Sequence, residues 1–147
     1  MTDRLTPDRR SALMAKVRSQ HTGPERAVRA ISHRLGYRFR LHKKELPGTP
    51  DLVFPRLRSV ILVHGCFWHR HSNCRKASMP KTRIEFWKAK FERNVSRDIA
   101  VRLALKKQGW RVLTVWECQL KKPTLVEKRV QKFLSACDQR KTVKSVR

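Results

Sequence analysis

Residues 51–71 read Asp51-Leu-Val-Phe-Pro-Arg-Leu-Arg-Ser-Val-Ile-Leu-Val-His-Gly-Cys-Phe-Trp-His-Arg-His71. Leu52–Phe54 and Val60–Val63 are apolar runs bounded by turn residues, a pattern that is typical of buried strands. Metal-capable and aromatic side chains follow the second run directly. The carboxylate at the start of the first strand and the side chains just past the end of the second could therefore converge on one small volume, as in metal-dependent sites.

The composition is strongly basic. The chain has 36 Lys and Arg against 11 Asp and Glu, a formal net charge of +25 at pH 7. This charge favours nucleic acid bound through its phosphates, with an anionic membrane surface as the weaker alternative. No apolar run approaches the ~20 residues of a membrane span, and the N-terminal residues lack the apolar core of a secretion signal. We therefore expect a cytoplasmic protein whose cysteines stay reduced and, near histidines, favour metal over disulfides.

The pattern of apolar residues predicts strands flanked by helices in one domain, a mixed α/β or α+β sandwich. Strands are predicted at residues 37–41, 52–54, 60–63 and 110–118, with a parallel crossover before the last one. Caps predict helices that begin at Thr6, Thr22, Thr82, Asn94 or Ser96, and Thr124. The predicted single domain spans residues 1–137, and residues 138–147 form a basic, solvated tail.

Two elements near the N-terminus have alternative interpretations. Residues 1–20 form a basic arm or helix that lies along DNA, or an ordinary surface helix docked by its apolar face. Glu25 ends the capping box Thr22-Gly-Pro-Glu25, so its simplest role is that of a capping carboxylate.

Cysteine and histidine spacing predicts a metal site. Cys66, His71 and Cys74 lie within nine residues, and Cys118 ends a strand that could run beside Val60–Val63. Thiolates and an imidazole in a closed set of four select zinc in a structural role. The alternative is that Cys66 and Cys118 are small buried apolar residues, as Cys137 is expected to be.

His64 and His69 remain once His71 is assigned to zinc. Beside Asp51, in a chain that attracts phosphates, they favour a hydrolytic site. The Asp would hold Mg²⁺, which supplies Lewis acidity, and a histidine would accept a proton near neutral pH. The aromatic Phe67, Trp68 and Trp87 are either core residues or an apolar wedge between base pairs.

Four motifs carry a resemblance to a known family. They are Leu46-Pro-Gly-Thr-Pro-Asp51, His64-Gly-Cys-Phe-Trp-His69, Thr82-Arg-Ile-Glu-Phe-Trp87 with Asn94-Val95 and Arg97-Asp98, and Gly109-Trp-Arg-Val-Leu-Thr-Val-Trp-Glu-Cys118. The chain resembles the very-short-patch-repair (Vsr) mismatch endonucleases over residues 9 to 135. The resemblance implies a restriction-endonuclease-like fold, a central mixed sheet with helices on both sides and a structural zinc. It also implies a Mg²⁺-dependent nick in one DNA strand, 5′ of the thymine in a T:G mismatch left by deamination of 5-methylcytosine.

The resemblance also implies roles for individual residues. Mg²⁺ would be bound by the Asp51 carboxylate and the Val63 main-chain carbonyl, with Glu25 at the metal's water shell. His69 would be the general base, and His64 would support the developing charge or the leaving group. The implied zinc ligands are Cys66, His71, Cys74 and Cys118, and the implied DNA-intercalating residues are Phe67, Trp68, Trp87 and Met14.

This chain departs from the family's familiar member at two places in the site. That member has consecutive histidines and a shorter zinc loop where this chain has His69-Arg-His71-Ser-Asn-Cys74, and it has Thr at the position of Val63.

Three hypotheses follow: a mismatch nicking enzyme, a nuclease of the same fold with another DNA substrate, and a zinc-stabilised DNA-binding module without catalysis. We expect the first, as a monomer acting on nucleoid DNA in a bacterial cytoplasm, in some settings with other mismatch-repair proteins.

Overall fold

The structure, a computed structural model, describes the backbone of residues 21–144 and the side chains of residues 21–136. This part of the chain forms helices α1 (Gly23–Arg34), α2 (Ile84–Lys107) and α3 (Pro123–Lys144), strands β1 (Arg40–Leu41), β2 (Leu52–Phe54), β3 (Ser59–His64) and β4 (Arg111–Trp116), and two short 3₁₀ turns at Pro55–Leu57 and Glu117–Lys121. Residues 1–20, which include the predicted basic arm and Met14, lie outside the described residues.

The four strands form one mixed sheet in the order β1-β2-β3-β4. The pairs β1–β2 and β2–β3 are antiparallel, with Leu52 opposite Ile61. β3 and β4 are parallel, with His64 beside Trp116. The predicted parallel crossover is therefore confirmed, and the start of β2, the end of β3 and the end of β4 lie at one edge of the sheet.

Alternate residues of the central strands supply two cores, one on each face of the sheet. On one face Leu52 and Ile61 pack against residues of α1 and α3, chiefly Val28, Ile31, Val126, Val130 and Leu134. On the other face Val53 and Val60 pack against Leu105 of α2 and Trp110. Because helices cover both faces, β3 reads as a continuous apolar run, as predicted for a mixed α/β fold.

Helix α2 corrects the sequence prediction of two separate helices. The structure has one 24-residue helix, without a side-chain cap, that begins after Arg83 in the left-handed region at φ 53°. Thr82 does not cap the helix, because Arg83 holds the N-cap position. Asn94 and Ser96 cap no second helix, because both lie inside the one helix, where the Asn94 side-chain amide donates to the Trp68 carbonyl oxygen at 3.1 Å. Residues 92–96 contain neither Gly nor Pro, so nothing in them ends a helix.

Other element boundaries differ by a few residues from the predicted ones. Thr22 caps α1 as predicted, and the chain leaves that helix at Gly36 with φ 89°. Only Arg40 and Leu41 of the predicted 37–41 strand are paired, and Cys118 follows β4 in a 3₁₀ turn. Helix α3 continues to Lys144, so the backbone is helical through the first part of the predicted tail. Among the described residues, no helix has the length and apolarity that crossing a bilayer requires.

The turn before β2 packs tightly on α2 at Gly48. Gly48 has φ 71°, and a Cβ at this position would lie 2.5 Å from Val101 Cγ1. Gly48→Ala should therefore lower the free energy of unfolding by about 2 kcal/mol or more, since left-handed strain and overpacking each cost ~1–3 kcal/mol. Urea denaturation measures the change. Gly23→Ala is the control, because a Cβ there has no neighbour within 4 Å, and equal losses in the two variants would contradict the prediction.

Candidate active site and metal centre

The site is built where the start of β2 meets the end of β3. Their antiparallel pairing places Asp51 next to Val63, whose amide donates to Asp51 Oδ2 at 2.7 Å. A cavity of about 780 Å³ opens at this edge of the sheet, between the strand ends and α2. Its walls include residues from α1, the strand ends and α2, among them Glu25, His42, Asp51, Val63, His69 and Asp98.

Two carboxylates and a histidine form the first cluster in the cavity. Glu25 from α1 is 3% exposed, and its Oε2 lies 3.2 Å from His42 Nε2. The same His42 nitrogen lies 3.8 Å from Asp51 Oδ1. One donor atom from each residue lies within 4.8 Å of the other two, as a metal site requires.

Burial raises the pKa of Asp51 to about 6. The hydrogen bond from Val63 lowers the pKa, and the charge of Glu25 raises it. Two largely buried carboxylates therefore share one corner of the cavity. A bound cation would relieve the repulsion between their negative charges.

The carboxylate of Glu25 does not act as the cap of α1 but binds groups around the cavity. Its Oε2 accepts hydrogen bonds from the His21 amide at 2.9 Å and from Arg29 at 3.1 Å, in addition to facing His42. Thr22, not Glu25, is the cap of α1, with its hydroxyl accepting from the Glu25 amide. The acid predicted from the capping box thus reaches the cavity as well.

A pair of stacked histidines forms the second cluster. The rings of His64 and His69 lie 3.9 Å apart and nearly parallel. His69 Nδ1 lies 2.6 Å from Asp98 Oδ2 on α2. Since a carboxylate oxygen accepts, Nδ1 carries the hydrogen in this pair, and Nε2 of His69 is left as a proton acceptor. Burial, aided by His69, lowers the pKa of His64 to about 4, so this imidazole is neutral at pH 7.

The third cluster brings together three cysteines and a histidine. Cys66, His71, Cys74 and Cys118 present donor atoms that all lie within 4.8 Å of one another. His71 Nδ1 is 3.7 Å from Cys66 Sγ and 3.4 Å from Cys118 Sγ. Burial raises the pKa of the Cys66 thiol to about 12. All three cysteines are free thiols, so the cluster joins the loop after β3 to the end of β4 without a covalent bond.

The donor atoms of the clusters suit different metal ions. The carboxylates of Glu25 and Asp51 are hard oxygen donors, which suit Mg²⁺. The cluster of cysteine sulfurs and one imidazole is a soft, closed set of four, which suits zinc. The predicted metal-binding side chains therefore fit the ions for which the sequence proposed them.

The predicted aromatic residues of the described chain also come together, where the loop after β3 packs on α2. The ring of Phe67 lies 5.1 Å from Trp68 and 5.8 Å from Trp87. Trp87 is only 6% exposed, whereas Phe86 beside it is 42% exposed. Lys90 lies over the Trp68 ring at 5.2 Å. Trp87 thus forms the buried floor of this aromatic cluster, and Trp68 lies nearer its surface, on the wall of the cavity.

Sequence reasoning missed the roles of His42 and Asp98. His42, for which the sequence predicted no role, directly follows β1 with φ 44°, and its Nε2 contacts Glu25. Asp98 belonged to a quoted motif without a role. A continuous helix would have placed Asn94 and Asp98 on one face, four residues apart, and that face borders the cavity.

Comparison with known proteins agrees with this geometry. The sequence model of the family described as DNA mismatch endonuclease Vsr matches residues 2–76. The type II nicking enzyme V.XorIIP of Xanthomonas oryzae pv. oryzae is 53% identical over 134 residues, which cover 91% of this chain and 98% of that protein. The DNA mismatch endonuclease Vsr of Escherichia coli K12 is 42% identical over 112 residues, 76% of this chain and 71% of that protein.

A solved structure has the same fold. The catalytic domain of the homing endonuclease I-Bth0305I superposes with a TM-score of 0.56 at 22% identity, over 79% of this chain and 97% of that domain. The two chains thus share the fold of a mixed sheet flanked by helices. The family match and the named relatives, taken with this fold, place the molecule in the endonuclease class.

The chain belongs to the Vsr family of DNA mismatch endonucleases. The predicted family, fold class and class of enzyme, a strand-nicking DNA endonuclease, are therefore confirmed. The hypothesis of a DNA-binding module without catalysis is set aside.

The cysteine and histidine cluster predicts that the purified protein holds one transition-metal ion per chain. Cys118→Ser should lose the ion, because the sulfur of Cys118, just past the end of β4, completes the set of four ligands. It should also lose ~4 kcal/mol of stability if free metal stands ~1,000-fold above its Kd. Elemental analysis by mass spectrometry and thermal unfolding measure both effects. Cys137→Ser, which changes the fourth cysteine of the sequence, should retain the ion, and a folded, active preparation without any metal in this cluster would refute the prediction.

Proposed function

We propose that this protein nicks one strand of duplex DNA, 5′ of the thymine in a T:G mismatch of the kind left by deamination of 5-methylcytosine. The reaction depends on Mg²⁺ at the Asp51 carboxylate and the Val63 carbonyl, with Glu25 at the metal's water shell, and on a structural zinc. One observation supports the proposal most strongly: a single cavity gathers Asp51, Glu25 and the His69–Asp98 pair beside Trp68. Acid, base and aromatic surface thus lie within reach of one phosphodiester.

The carboxylates supply the proposed magnesium site. Asp51 uses Oδ2 for the Val63 amide and directs Oδ1 toward His42, while Glu25 is held by three donors on Oε2. These contacts fix both carboxylates before any cation arrives. Val63, the proposed second ligand through its carbonyl, lines the same cavity. Bound Mg²⁺ would supply Lewis acidity at the phosphate.

The histidines supply the proposed proton transfer. Asp98 accepts the Nδ1 hydrogen of His69, so that Nε2 can take a proton from the attacking water. His64, neutral and stacked on His69, can donate a hydrogen bond where negative charge develops. Asp98 acts through His69, as a group that selects the tautomer of a base.

The distances in the cysteine cluster support zinc as its ion. A tetrahedral zinc with bonds of ~2.3 Å to sulfur and ~2.0 Å to nitrogen holds sulfur and nitrogen about 3.5 Å apart. The two separations from His71 Nδ1, 3.7 Å to Cys66 and 3.4 Å to Cys118, lie close to this value. Zinc in this closed set would act on the fold rather than on the substrate.

Charge and aromatic surface support duplex DNA as the substrate. A net charge of +25 attracts the phosphates of any duplex, and Lys90 and Arg97 line the cavity itself. Phe67 and Trp68 are both only partly buried, and Trp68 lines the cavity, which would let this aromatic pair act as an apolar wedge at an opened base step. The family description and the name of one relative support a mismatched duplex, and T:G is the mismatch that the sequence resemblance implies. We place the reaction in the bacterial cytoplasm and expect a monomer to perform it.

An assay with end-labelled duplexes tests this function. In Mg²⁺, the protein should nick the thymine strand of a T:G duplex 5′ of the mismatched thymine and leave matched T:A and C:G duplexes largely uncut. Denaturing gels map the position of the nick. Equal cleavage of matched DNA would instead favour a nuclease of the same fold with another substrate.

Asp51→Asn tests the magnesium site. The asparagine oxygen can still accept from Val63, so the fold is retained, but the negative charge for the cation is lost. Nicking should fall by at least ~10³-fold, the scale expected when charge stabilisation in a water-excluded site is removed, while binding to T:G duplex changes little. Glu45→Gln, at an exposed acid, is the matched control. Nicking by Asp51→Asn at the unmodified rate would remove the proposed site.

Asp98→Asn tests the orientation of the base. Asparagine no longer fixes the hydrogen on Nδ1 of His69, so single-turnover nicking should slow by about 10²- to 10⁴-fold, as for other oriented histidines. The affinity for DNA should not fall. Glu92→Gln removes one exposed carboxylate from the same helix and should nick normally. If Asp98→Asn and Glu92→Gln behave alike, the His69–Asp98 pair has no part in catalysis.

A further inference from the structure

Arg70 occupies the centre of the loop that carries the site. It follows His69, the proposed base, and precedes His71, a residue of the metal cluster. Its backbone has φ 54°, in the left-handed region. A residue other than glycine remains in that region only where its surroundings hold it. The contacts of the Arg70 side chain show what holds this loop.

The guanidinium of Arg70 ties both limbs of the loop together. Its Nη1 donates to the carbonyl oxygens of Phe67 at 3.2 Å and Ser78 at 3.1 Å. Its Nη2 donates to the carbonyl oxygen of Ala77 at 2.7 Å. One side chain thus links the limb with the aromatic wedge to the limb that follows Cys74.

The same guanidinium packs on α2. Its carbon lies 4.0 Å from the ring centre of Phe91 and 5.7 Å from that of Phe67. This stacking uses the planar face of the group, while the hydrogen bonds use its edge. Arg70 is therefore held from two directions at once.

Three consecutive loop residues dock on one face of α2. The Trp68 carbonyl oxygen accepts from Asn94, His69 bonds Asp98, and Arg70 stacks on Phe91. Positions 91, 94 and 98 recur at intervals of three and four, so their side chains share one helical face. The contact of Arg70 with Phe91 is one of three that fix the position of the loop along the helix, which we call the register of the loop on α2.

We propose that Arg70 is a positioning residue that fixes this register, holding Trp68 against the mismatch and His69 against the scissile phosphate. The inference rests on the proposed function for the meaning of those two positions. It assigns Arg70 a role in the rate of strand cleavage and in discrimination for T:G, and not in general attraction to DNA. Both terminal nitrogens of the guanidinium donate within the protein, and one face of its plane stacks on Phe91. Little of the group is therefore left for a phosphate.

The test compares Arg70→Gln and Arg70→Lys with Arg75→Gln. Arg75 is exposed in the same loop, so Arg75→Gln removes one positive charge and leaves the Arg70 contacts in place. In Arg70→Gln, kcat should fall by about 10- to 100-fold, since a misplacement of ~1 Å can cost ~10²-fold. KM for DNA should change no more than in Arg75→Gln, and the ratio of T:G to matched cleavage should fall. Arg70→Lys retains the charge but not the fork of donors, and its kcat should stay low.

A second measurement does not depend on activity. The amides of His69 and His71 bond the carbonyl oxygens of Gly65 and Cys66. Their hydrogen exchange should speed up in Arg70→Gln and Arg70→Lys, while β3 amides keep their protection. Metal content measured in the same samples should equal that of the unmodified protein.

Three results would overturn the inference. A rise in KM alone in Arg70→Gln, with normal KM restored in Arg70→Lys, would make Arg70 a phosphate contact. Loss of metal and of global stability in both variants would make it a purely structural residue. Unchanged exchange of the loop amides together with normal kcat would leave it no role. If the unmodified protein cuts matched and T:G duplexes equally, the proposed substrate fails, but the kcat and exchange comparison still decides the role of Arg70.

Discussion

The hydrogen bond from the Val63 amide to Asp51 Oδ2, at 2.7 Å, is the contact on which the site depends. It exists because β2 and β3 are antiparallel neighbours, so that the start of one strand meets the end of the other. On its other side β3 pairs in parallel with β4, which brings Trp116 and then Cys118 to the edge where His64 lies. Two strand pairings that share β3 therefore align the carboxylates, the histidines and the metal cluster.

The sequence predicted those features that depend on local patterns of residues. Strands β2 and β3, the cap at Thr22 and the grouping of Cys66 with His71 and Cys74 follow from local periodicity and spacing. The pairing of Cys118 with that loop needed only the parallel neighbour of β3, which strand composition indicated. These features are local, or depend on one sheet register, and so they could be read before the structure.

Other features depend on contacts between distant segments. Asp98 serves His69 because one unbroken helix carries it there, and the local sequence offered Asn94 as a false cap whose amide instead binds a loop carbonyl. His42 contacts Glu25 from a residue whose backbone lies in the left-handed region just after β1. Trp87, which the sequence left as either a core residue or a wedge, is 6% exposed because Phe67 and Phe91 pack around it. Amino-acid type alone does not distinguish a buried aromatic from an exposed one.

Trp116 lies between the two halves of the site. The His71 ring stacks on it at 4.3 Å, and the His64 ring meets it edge-on at 5.2 Å. An indole packed against both rings cannot shift without disturbing both, so closure of the metal cluster and alignment of the histidine pair become one event. If the proposed metal completes its cluster, a newly made chain would thus align its histidine pair, and with it gain its ability to cut DNA, in the same step of folding.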